Sequence, residues 1–348
     1  MSFDFAAAVS SPHRMQPGLR RLAAGARQLT PAAVPNRGVA RHLREKLAVL
    51  WAFHTQALLC QPGFDAGPAL AALQAHAAAE QPQALQLDGA QLAAPGLGWA
   101  LDARGQPQDI GTGWPEIGTL LHRLPPAWRP TALLCLAFAE DFAVLDGATG
   151  TLPWLAVALP SVWAPEHKLG RHFTEVHAAV ADNRLITGAA PQLIQLVTGP
   201  QRWERFVWTF SAHPRLHAHP DRVDPARWPA GLVATGSGSN SIAAHTWWRT
   251  ERQTFIPVPG LPASAAQAVF TIKVDSTPLA LAFERAAQAG LVHDALASMS
   301  DAVLAYRGLS AVQALLLQWL AWRAVQPDVP AVPQAAAQPA QSPGASTP

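Results

Sequence analysis

Closely spaced charged side chains occur in the run Trp248-Arg249-Thr250-Glu251-Arg252-Gln253-Thr254, whose pattern is that of a β-strand. Two arginines and a glutamate occur within four positions, although only 14% of all residues are charged. In a β-strand, side chains alternate between the two faces, so Arg249 and Glu251 would share one face and Arg252 would lie on the other. The first face would then carry an ion pair, and Arg252 would be free to hold an anion with its planar guanidinium. The alternative is a salt-bridge cluster that joins two segments of the fold.

Further motifs follow in order along the chain. They are Pro12-His13-Arg14-Met15, Gly18-Leu19-Arg20, Glu140-Asp141, Pro160-Ser161 with Trp163, Pro165 and Lys168-Leu169-Gly170, then Val176-His177, Arg205 with Trp208, and Tyr306-Arg307-Gly308-Leu309. Together with the charged run, they resemble the haem-dependent oxidative N-demethylase α-subunit-like family over about residues 10–325. This resemblance implies a PAS-like central sheet, mixed or antiparallel, that forms a pocket for haem b.

The resemblance implies His177 as the proximal ligand of the haem iron, and therefore as the metal ligand. An iron-bound imidazole must be neutral, and its second nitrogen usually makes a hydrogen bond that fixes the tautomer. If residues 170–183 form a helix, His172 and His177 lie about 140° apart around it, so only one of them can face a metal. A core histidine with a satisfied hydrogen bond is the alternative. The chain also departs from the family here, since Ala179-Val180-Ala181 replaces the family's Pro-Val-Pro.

The resemblance also implies residues that contact the rest of the cofactor. A haem carries two carboxylates at its edge, and arginine binds such groups through two parallel hydrogen bonds. We predict Arg252 and Lys168 as partners of these propionates, and Arg205 and Trp208 as further residues of the haem site. For each basic residue, a solvated surface charge is the alternative.

A methylated ammonium substrate would be held by aromatic faces through cation–π attraction. Trp163 and Trp248 are therefore predicted to bind the substrate, although core packing is the commoner role of tryptophan. The carboxylates Glu140, Asp141 and Glu251 are predicted to complete the amine site as catalytic residues. Glu251 could instead serve only as an ion-pair partner within its own strand.

Two other patterns suggest sites and are interpreted as loops. The histidines His213, His217 and His219 could surround zinc if the first pair lay on a helix. Prolines follow the first and the last of them, so we interpret this stretch as a polar surface loop. Residues 236–240 lack the lysine of a P-loop and the third glycine of a dinucleotide fingerprint, so we predict a flexible turn.

The composition excludes several classes of function. The formal net charge is +2 over 348 residues and the basic residues are scattered, which excludes nucleic acid as the main partner. Cys60 and Cys135 lie in apolar runs, which favours free thiols in a reducing compartment over a disulfide framework. The apolar run Ala314–Trp322 is too short to span a bilayer, and Met1–Val9 lacks the features of a signal peptide. We therefore expect a soluble, cytoplasmic protein with no membrane partner.

Hydrophobic periodicity and turn residues predict an α+β fold. Residues 38–326 are expected to form one domain that is helical over 38–80, loop-rich over 81–130, a sheet core over 131–275 and helical over 279–326. Within the sheet core, we predict strands over Thr131–Phe138, Phe142–Asp146, Leu155–Leu159 and Val269–Val274. Residues 1–37 are expected to form an N-terminal arm, and residues 327–348, rich in proline, alanine, glutamine and serine, a disordered tail.

Two functions remain open from the sequence. The first is oxidative N-demethylation of a small secondary amine such as dimethylamine with dioxygen, with this chain as the haem-containing catalytic subunit of a multi-subunit monooxygenase. The resemblance implies a partner subunit with flavin and an iron–sulfur centre that supplies electrons. The second is a non-catalytic sensor or assembly protein that binds haem or another ligand in the same fold. Val207 stands where the family has asparagine and Ala139 where it has glutamine, so we expect an altered pocket.

Overall fold

The structure of the protein is a computed structural model that describes residues 3–33, 40–111, 113–224, 226–235 and 239–328. Residues 329–348, which make up nearly all of the predicted tail, lie outside the described residues. The predicted turn at residues 236–240 also lies partly outside them.

The strands form a central sheet and a smaller second sheet. In chain order they are β1 (Arg20–Arg21), β2 (Leu58–Cys60), β3 (Gln86–Asp88), β4 (Gln91–Ala94), β5 (Trp99–Leu101), β6 (Pro107–Asp109), β7 (Asp141–Asp146), β8 (Thr151–Ala156), β9 (Trp203–Ser211), β10 (Trp247–Pro257) and β11 (Gln267–Pro278). The central sheet has the order β1-β9-β10-β11-β7-β8-β2, and β3 to β6 form the smaller sheet. Every pair of neighbouring strands in the central sheet is antiparallel.

Helices precede, interrupt and follow the strands. They are α1 (Phe5–Ala8), α2 (Arg41–Ala57), α3 (Gly67–Glu80), α4 (Pro115–Arg123), α5 (Arg129–Ala137), α6 (Phe173–Val176), α7 (Arg184–Gly188), α8 (Ala190–Val197), α9 (Ala230–Thr235), α10 (Ser239–Ala244), α11 (Ala286–Ala297), α12 (Asp301–Tyr306) and α13 (Gln313–Arg323). Helices combined with an antiparallel sheet confirm the predicted α+β class. None of the described helices is long and apolar enough to cross a membrane.

The charged run lies in β10, as the alternation of its side chains predicts. β10 pairs along its whole length with β11, and from Trp247 to Phe255 with β9. The register places Val207 of β9 and Val274 of β11 directly beside Glu251. Because directly paired residues lie on the same face of a sheet, this register determines which side chains share each face.

One face of the central sheet, which we call the rear face, is covered by helices. It carries Glu204, Trp208, Trp248, Arg252 and Thr254. At one end it packs with α2, α3 and α5 in a large apolar core. At the other end, residues of α11, α12 and α13 pack against its tryptophans in a second core. Apolar burial on this face is the main force that holds the sheet to the helices.

The opposite face, which we call the front face, is crossed by the segment that joins β8 to β9. It carries Arg205, Val207, Glu251, Gln253, Phe255 and Phe270. Residues 157–202 form the crossing segment, which contains α6, α7 and α8. Its Trp163 and Leu169 pack on the small apolar cluster of Ala143, Leu155 and Val157.

Several segments differ from the sequence prediction. Of the strand predicted over Thr131–Phe138, residues 131–137 belong to α5, which carries a proline in its first turn. Nearly every residue of α5 is buried, and a continuous apolar run does not distinguish a buried helix from a buried strand. The segment 81–130, predicted as loop-rich, also contains the smaller sheet and α4. The strand predicted over Leu155–Leu159 begins earlier, at Thr151, and ends at Ala156.

Candidate functional site

The front face keeps Arg205, Glu251 and Gln253 half-buried, whereas Glu204, Trp208 and Trp248 of the rear face are buried. Along β9, Glu204 and Trp208 of the rear face are buried, while Arg205 and Val207 between them are half-buried. Glu251 of β10 is half-buried on the same side as Arg205. Partly exposed charges under a covering segment are typical of a binding site, so the front face is the candidate functional site.

His177 caps the C-terminal end of α6 and lies near Arg205 of the front face. Its Nδ1 lies 2.8 Å from the carbonyl oxygen of Phe173, so Nδ1 carries the proton and donates it. Its Nε2 has no hydrogen-bond partner among the described residues and presents a lone pair. Burial lowers the pKa of His177 to about 4, and the charges of Arg205 and Lys168 act in the same direction. The ring is therefore neutral at pH 7, which is the form that binds a metal.

His172 occupies a different environment from the one that the predicted helix implied. The helix predicted over residues 170–183 is reduced to the four residues of α6, with His172 as its N-terminal cap. Nδ1 of His172 accepts a hydrogen bond from the backbone N–H of Thr174 at 3.3 Å. Its Nε2 lies against Gly150 in the turn before β8, where an added Cβ would meet it at 2.6 Å. The two histidines therefore differ in their hydrogen bonds and packing contacts. They do not occupy different sides of one long helix.

Two basic side chains lie close to His177. Lys168 donates from Nζ to the carbonyl oxygen of Val176 at 2.9 Å, and burial lowers its pKa. The Nε of Arg205 is buried without a hydrogen-bond partner among the described residues. Burial lowers the pKa of Arg205, while the carboxylate of Glu251 acts to raise it. Arg205 therefore has an unused donor at the front face, which is suited to an anionic partner.

Glu251 supplies the carboxylate of the front face, which also carries aromatic rings further along its strands. Its Oε2 accepts a hydrogen bond from Nε2 of Gln253 at 2.6 Å. Further along the same face, Phe255 and Phe270 stack with their ring centroids 4.8 Å apart. Trp163 lies half-buried over the front face. Carboxylate, cation and aromatic surface are therefore present together on one side of the sheet.

Arg252 lies on the rear face and is not free to hold an anion. Its Nη2 and Nε donate to Oε2 of Glu204 at 2.9 Å and 3.0 Å, and its Nη1 donates to the carbonyl oxygen of Arg27 at 2.9 Å. Glu204 also pairs with Arg20 at 2.9 Å. The prediction of a free guanidinium is therefore wrong. The alternation of β10 is as predicted, but the partner comes from β9, a strand that the sequence of β10 alone does not place.

The Arg249 side chain binds backbone carbonyl groups of two loops and does not pair with Glu251. Its guanidinium donates to Ser161 Oγ and to the carbonyl oxygens of Pro160, Arg215 and Leu216, at 2.5 to 3.3 Å. Burial lowers the pKa of Arg249 to about 10. The predicted ion pair is thus replaced by a link between residues 160–161 and 215–216. Glu251 consequently remains available for another partner.

Glu140 and Asp141 lie in buried contacts at the start of β7. Asp141 Oδ1 pairs with Lys46 Nζ at 3.0 Å, and its Oδ2 accepts a hydrogen bond from the backbone N–H of Leu159 at 2.6 Å. Glu140 Oε2 accepts one from the backbone N–H of Thr30 at 2.8 Å, and burial raises the pKa of Glu140. These contacts tie β7 to α2 and to the N-terminal segment. The structure does not join the two carboxylates to Glu251 in one cluster.

Trp208 and Trp248 lie on the rear face, across the sheet from Glu251. Each is only 3% exposed, and their rings stack with centroids 5.0 Å apart. Both belong to the core that packs against the C-terminal helices. Arg307 also lies over the ring of Trp208, 5.1 Å from its centroid, and donates to the Trp208 carbonyl oxygen. Of the predicted aromatic site residues, the structure brings only Trp163 to the front face.

Several residues near the candidate site are not among the positions predicted from the sequence. Strand alternation from Glu251 leads directly to Gln253 and Phe255, so a signal for these two was present. Phe270 requires the register of the β10–β11 hairpin, which the sequence does not fix. Tyr306 lies at the end of α12 and is 50% exposed; partial burial and the Glu251 carboxylate raise its pKa. No local sequence signal connects Tyr306 to that carboxylate.

The other predicted positions lie away from the front face. Cys60 and Cys135 are free thiols, as predicted. The stretch with His213, His217 and His219 connects β9 to α9. It was predicted as a polar surface loop, but it is partly buried. His219 is buried, and Ala218 beside it forms a parallel bridge with Ser161.

Comparison with known proteins assigns the chain to a family. The family model described as haem-dependent oxidative N-demethylase, alpha subunit-like, matches residues 119–317, which is more than half of the 348 residues. The match runs from within α4 to within α13 and includes the front face with its crossing segment. No curated protein matches the chain. The chain therefore belongs to the haem-dependent oxidative N-demethylase, alpha subunit-like family.

Proposed function

We propose that this chain binds haem b between the front face and residues 157–202, with His177 as the proximal iron ligand. The main support for the proposal is the protonation and hydrogen bonding of the His177 ring. It is neutral, its Nδ1 is fixed by the carbonyl oxygen of Phe173, and its Nε2 presents a lone pair. A haem ligand has this arrangement, because the hydrogen bond on one nitrogen orients the other toward the iron.

The residues around His177 fit the remaining parts of a haem. Arg205, with its unpartnered Nε, and Lys168 supply cations for the propionates. We assign these carboxylates to Arg205 and Lys168 rather than to Arg252, because Glu204 already holds the Arg252 guanidinium. The stacked rings of Phe255 and Phe270 offer an apolar surface for the porphyrin.

The topology supports a PAS-like sheet. Numbered along the chain, the five central strands β7 to β11 have the spatial order 2-1-5-4-3. The helical segment between the second and third of these strands covers the front face. A cofactor held between this segment and the sheet would contact both.

The proposed reaction is oxidative N-demethylation of a small secondary amine of the dimethylamine type. When bound, the haem supplies the chemistry of dioxygen, and the protein supplies binding, orientation and electrostatics. Glu251 holds the ammonium group of the amine and accepts its proton, and Gln253 orients the carboxylate by donating to Oε2. Trp163 contributes cation–π attraction and shields the amine from water.

The proposal includes a partner. Electrons come from a second subunit that carries flavin and an iron–sulfur centre, so the chain acts as the catalytic subunit of a multi-subunit monooxygenase. The free thiols of Cys60 and Cys135 support a cytoplasmic location, where thiols stay reduced.

A non-catalytic haem or ligand sensor is the second candidate function, and one observation favours it. Val207 lies directly beside Glu251 on the front face, at the position where the family resemblance expects asparagine. A polar neighbour of the carboxylate is thereby replaced by an apolar side chain. This change alters the amine site without affecting the environment of His177.

Two measurements test the proposal in sequence. Protein expressed with a haem precursor is expected to show a strong Soret absorption band; well-folded protein without the band would refute both the enzyme and the haem-sensor functions. With reductant and air, formaldehyde release from dimethylamine then supports the enzyme. Haem binding without formaldehyde release, also in the presence of the electron-donating partner, would support the sensor.

A further inference from the structure

A surface cavity lies where three distant segments of the chain meet. The segments are the N-terminal arm, the crossing segment and the connection between α11 and α12. The cavity has a volume of about 260 Å³ and is lined by His13, Arg14, Met15, Asp182, Leu185, Ser298 and Ser300. At about 30 Å³ for each water molecule, it has room for roughly eight waters, or for one small organic molecule of the same size.

Hydrogen bonds between the segments fix the walls of this cavity. The backbone N–H of His13 donates to Ser298 Oγ at 2.9 Å, and Ser300 Oγ donates to Asp182 Oδ2 at 2.7 Å. Ser298 Oγ also donates to backbone carbonyl oxygens of α11, and Ser300 Oγ accepts a backbone N–H of α12. The two serines therefore join the three segments and have no donor left for a ligand.

His13 presents a free donor at the cavity. Nη2 of Arg307 lies 3.4 Å from Nε2 of His13, and a guanidinium can only donate, so Nε2 is the acceptor. Burial lowers the pKa of His13 to about 4, and the charge of Arg307 acts in the same direction, while Asp182 acts to raise it. The ring is therefore neutral at pH 7 and carries its proton on Nδ1. This Nδ1–H makes no hydrogen bond among the described residues.

Arg14 and Asp182 carry opposite charges and line the same cavity, but they do not pair. Both are exposed, and Arg14 makes no hydrogen bond or ion pair within the described part of the chain. Asp182 accepts the Ser300 hydroxyl through Oδ2, which leaves Oδ1 free. Its backbone is left-handed, with φ 55°, a conformation that Asp and Asn adopt more readily than most residues. The cavity thus combines two free donors, from Arg14 and His13, with one free carboxylate oxygen.

We propose that this cavity binds a small zwitterionic amino acid with an apolar side chain. Arg14 and the Nδ1–H of His13 hold its carboxylate, because carboxylate oxygens accept from both. Oδ1 of Asp182 accepts from its ammonium group. Met15 and Leu185 supply apolar wall for the side chain. The site shares no residue with the proposed haem site and does not depend on haem binding.

Calorimetric titration of the full chain with L-valine tests the proposal. Two comparison ligands keep the carbon skeleton but carry one charge each: isovalerate lacks the ammonium, and isobutylamine lacks the carboxylate. We expect the wild type to bind valine about tenfold more tightly than either analogue, because each analogue loses one set of charge-assisted contacts. Absence of valine binding at millimolar concentration would overturn the proposal. Equal affinity for isovalerate and valine would show a simple anion site, and would overturn it as well.

Variants assign the binding to the charged residues of the cavity. Asp182→Asn keeps an acceptor for Ser300 and tolerates the left-handed backbone, so its circular dichroism should match the wild type. Valine is expected to bind about tenfold more weakly to Asp182→Asn and to Arg14→Gln. The matched control is Asp301→Asn, because Asp301 is an exposed carboxylate next to Ser300 that does not line the cavity. The proposal fails if Asp182→Asn binds valine like the wild type, or if Asp301→Asn weakens binding to the same degree.

Discussion

Arg205 and Arg252 lie on neighbouring strands, and their different partners separate their roles. Arg252 is held on the rear face by Glu204, which also pairs with Arg20. Arg205 lies on the front face with an unpartnered Nε, near His177 and Glu251. A side chain that already has its ion-pair partner stabilises the fold, whereas one with an unused donor can bind a ligand.

Replacing Arg205 is therefore expected to weaken haem retention more than replacing Arg252. Arg205→Ala should lose haem to an apo-globin acceptor at least tenfold faster than the wild type, and Arg205→Lys should not fully restore retention, because an ammonium lacks the planar fork. Arg252→Ala serves as the matched control from the opposite face. Faster haem loss from Arg252→Ala than from Arg205→Ala would return the propionate role to the rear-face arginine.

The neutral state of His177 predicts a pH dependence of stability. Burial lowers the pKa of His177 from its ordinary 6.5 to about 4. Between these values the unfolded chain binds the proton and the folded chain does not, so the stability contributed above pH 6.5 is lost as the pH falls toward 4. The loss assigned to this ring is about 2 kcal/mol, below the full shift because water partly screens it.

Urea unfolding of the haem-free proteins at pH 7, 6 and 5 measures this dependence. The free energy of unfolding of the wild type should fall with pH, and His177→Gln should reduce the slope. Part of the slope remains in the variant, since burial also lowers the pKa of His13 and of His213 to about 4. An unchanged slope in His177→Gln would show that this ring is already charged in the folded protein.

At the scale of elements, the buried pair of Lys46 and Asp141 joins α2 to the start of β7. Both side chains are fully buried, with 3.0 Å between Nζ and Oδ1. Removing one partner leaves the other charge buried and unpaired, so Asp141→Asn should cost about 3–5 kcal/mol of unfolding free energy. The double variant Lys46→Met, Asp141→Leu should recover part of that loss. Equal stability of Asp141→Asn and the wild type in urea would show that the pair contributes nothing to the docking of α2.

The elements also show how far the sequence could predict the structure. The strand at residues 247–257 follows from its alternating pattern, and the face of Glu251 follows with it. The pairing of Arg252 with Glu204 does not follow, because it depends on which strand lies beside β10. Residues 129–137 are mostly apolar and are buried on all sides of the helix. The sequence therefore shows no alternation of apolar and polar positions from which a helix could be predicted.

At the scale of the whole molecule, the two faces of the central sheet are covered by different parts of the chain. The rear face is packed by the N-terminal and C-terminal helices into two apolar cores. The front face is covered by the crossing segment, which carries Lys168 before α6 and His177 directly after it. The sequence predicted these two residues, but not that the sheet separates them from Trp208, Trp248 and Arg252. That separation is set by long-range strand pairing, which no local motif encodes.

The C-terminal residues are expected to contribute little to this architecture. Residues 329–348 lie outside the described residues, and their sequence has almost no charge or large apolar side chains. Deleting them should leave the melting temperature and the haem content unchanged. A fall of more than a few degrees, which corresponds to about 1 kcal/mol or more for a protein of this size, would show that the segment packs onto the domain.

The most direct test of the account compares the haem content of His177→Ala and His172→Ala by the pyridine haemochrome assay. The two residues lie at opposite ends of α6. His177 has a neutral ring near Arg205, whose Nδ1 donates to a backbone carbonyl and whose Nε2 presents a lone pair, whereas Nδ1 of His172 accepts a hydrogen bond from the backbone N–H of Thr174. We predict that His177→Ala loses stable haem binding and that His172→Ala keeps most of it. Equal haem occupancy in the two variants would contradict the assignment of His177 as the iron ligand.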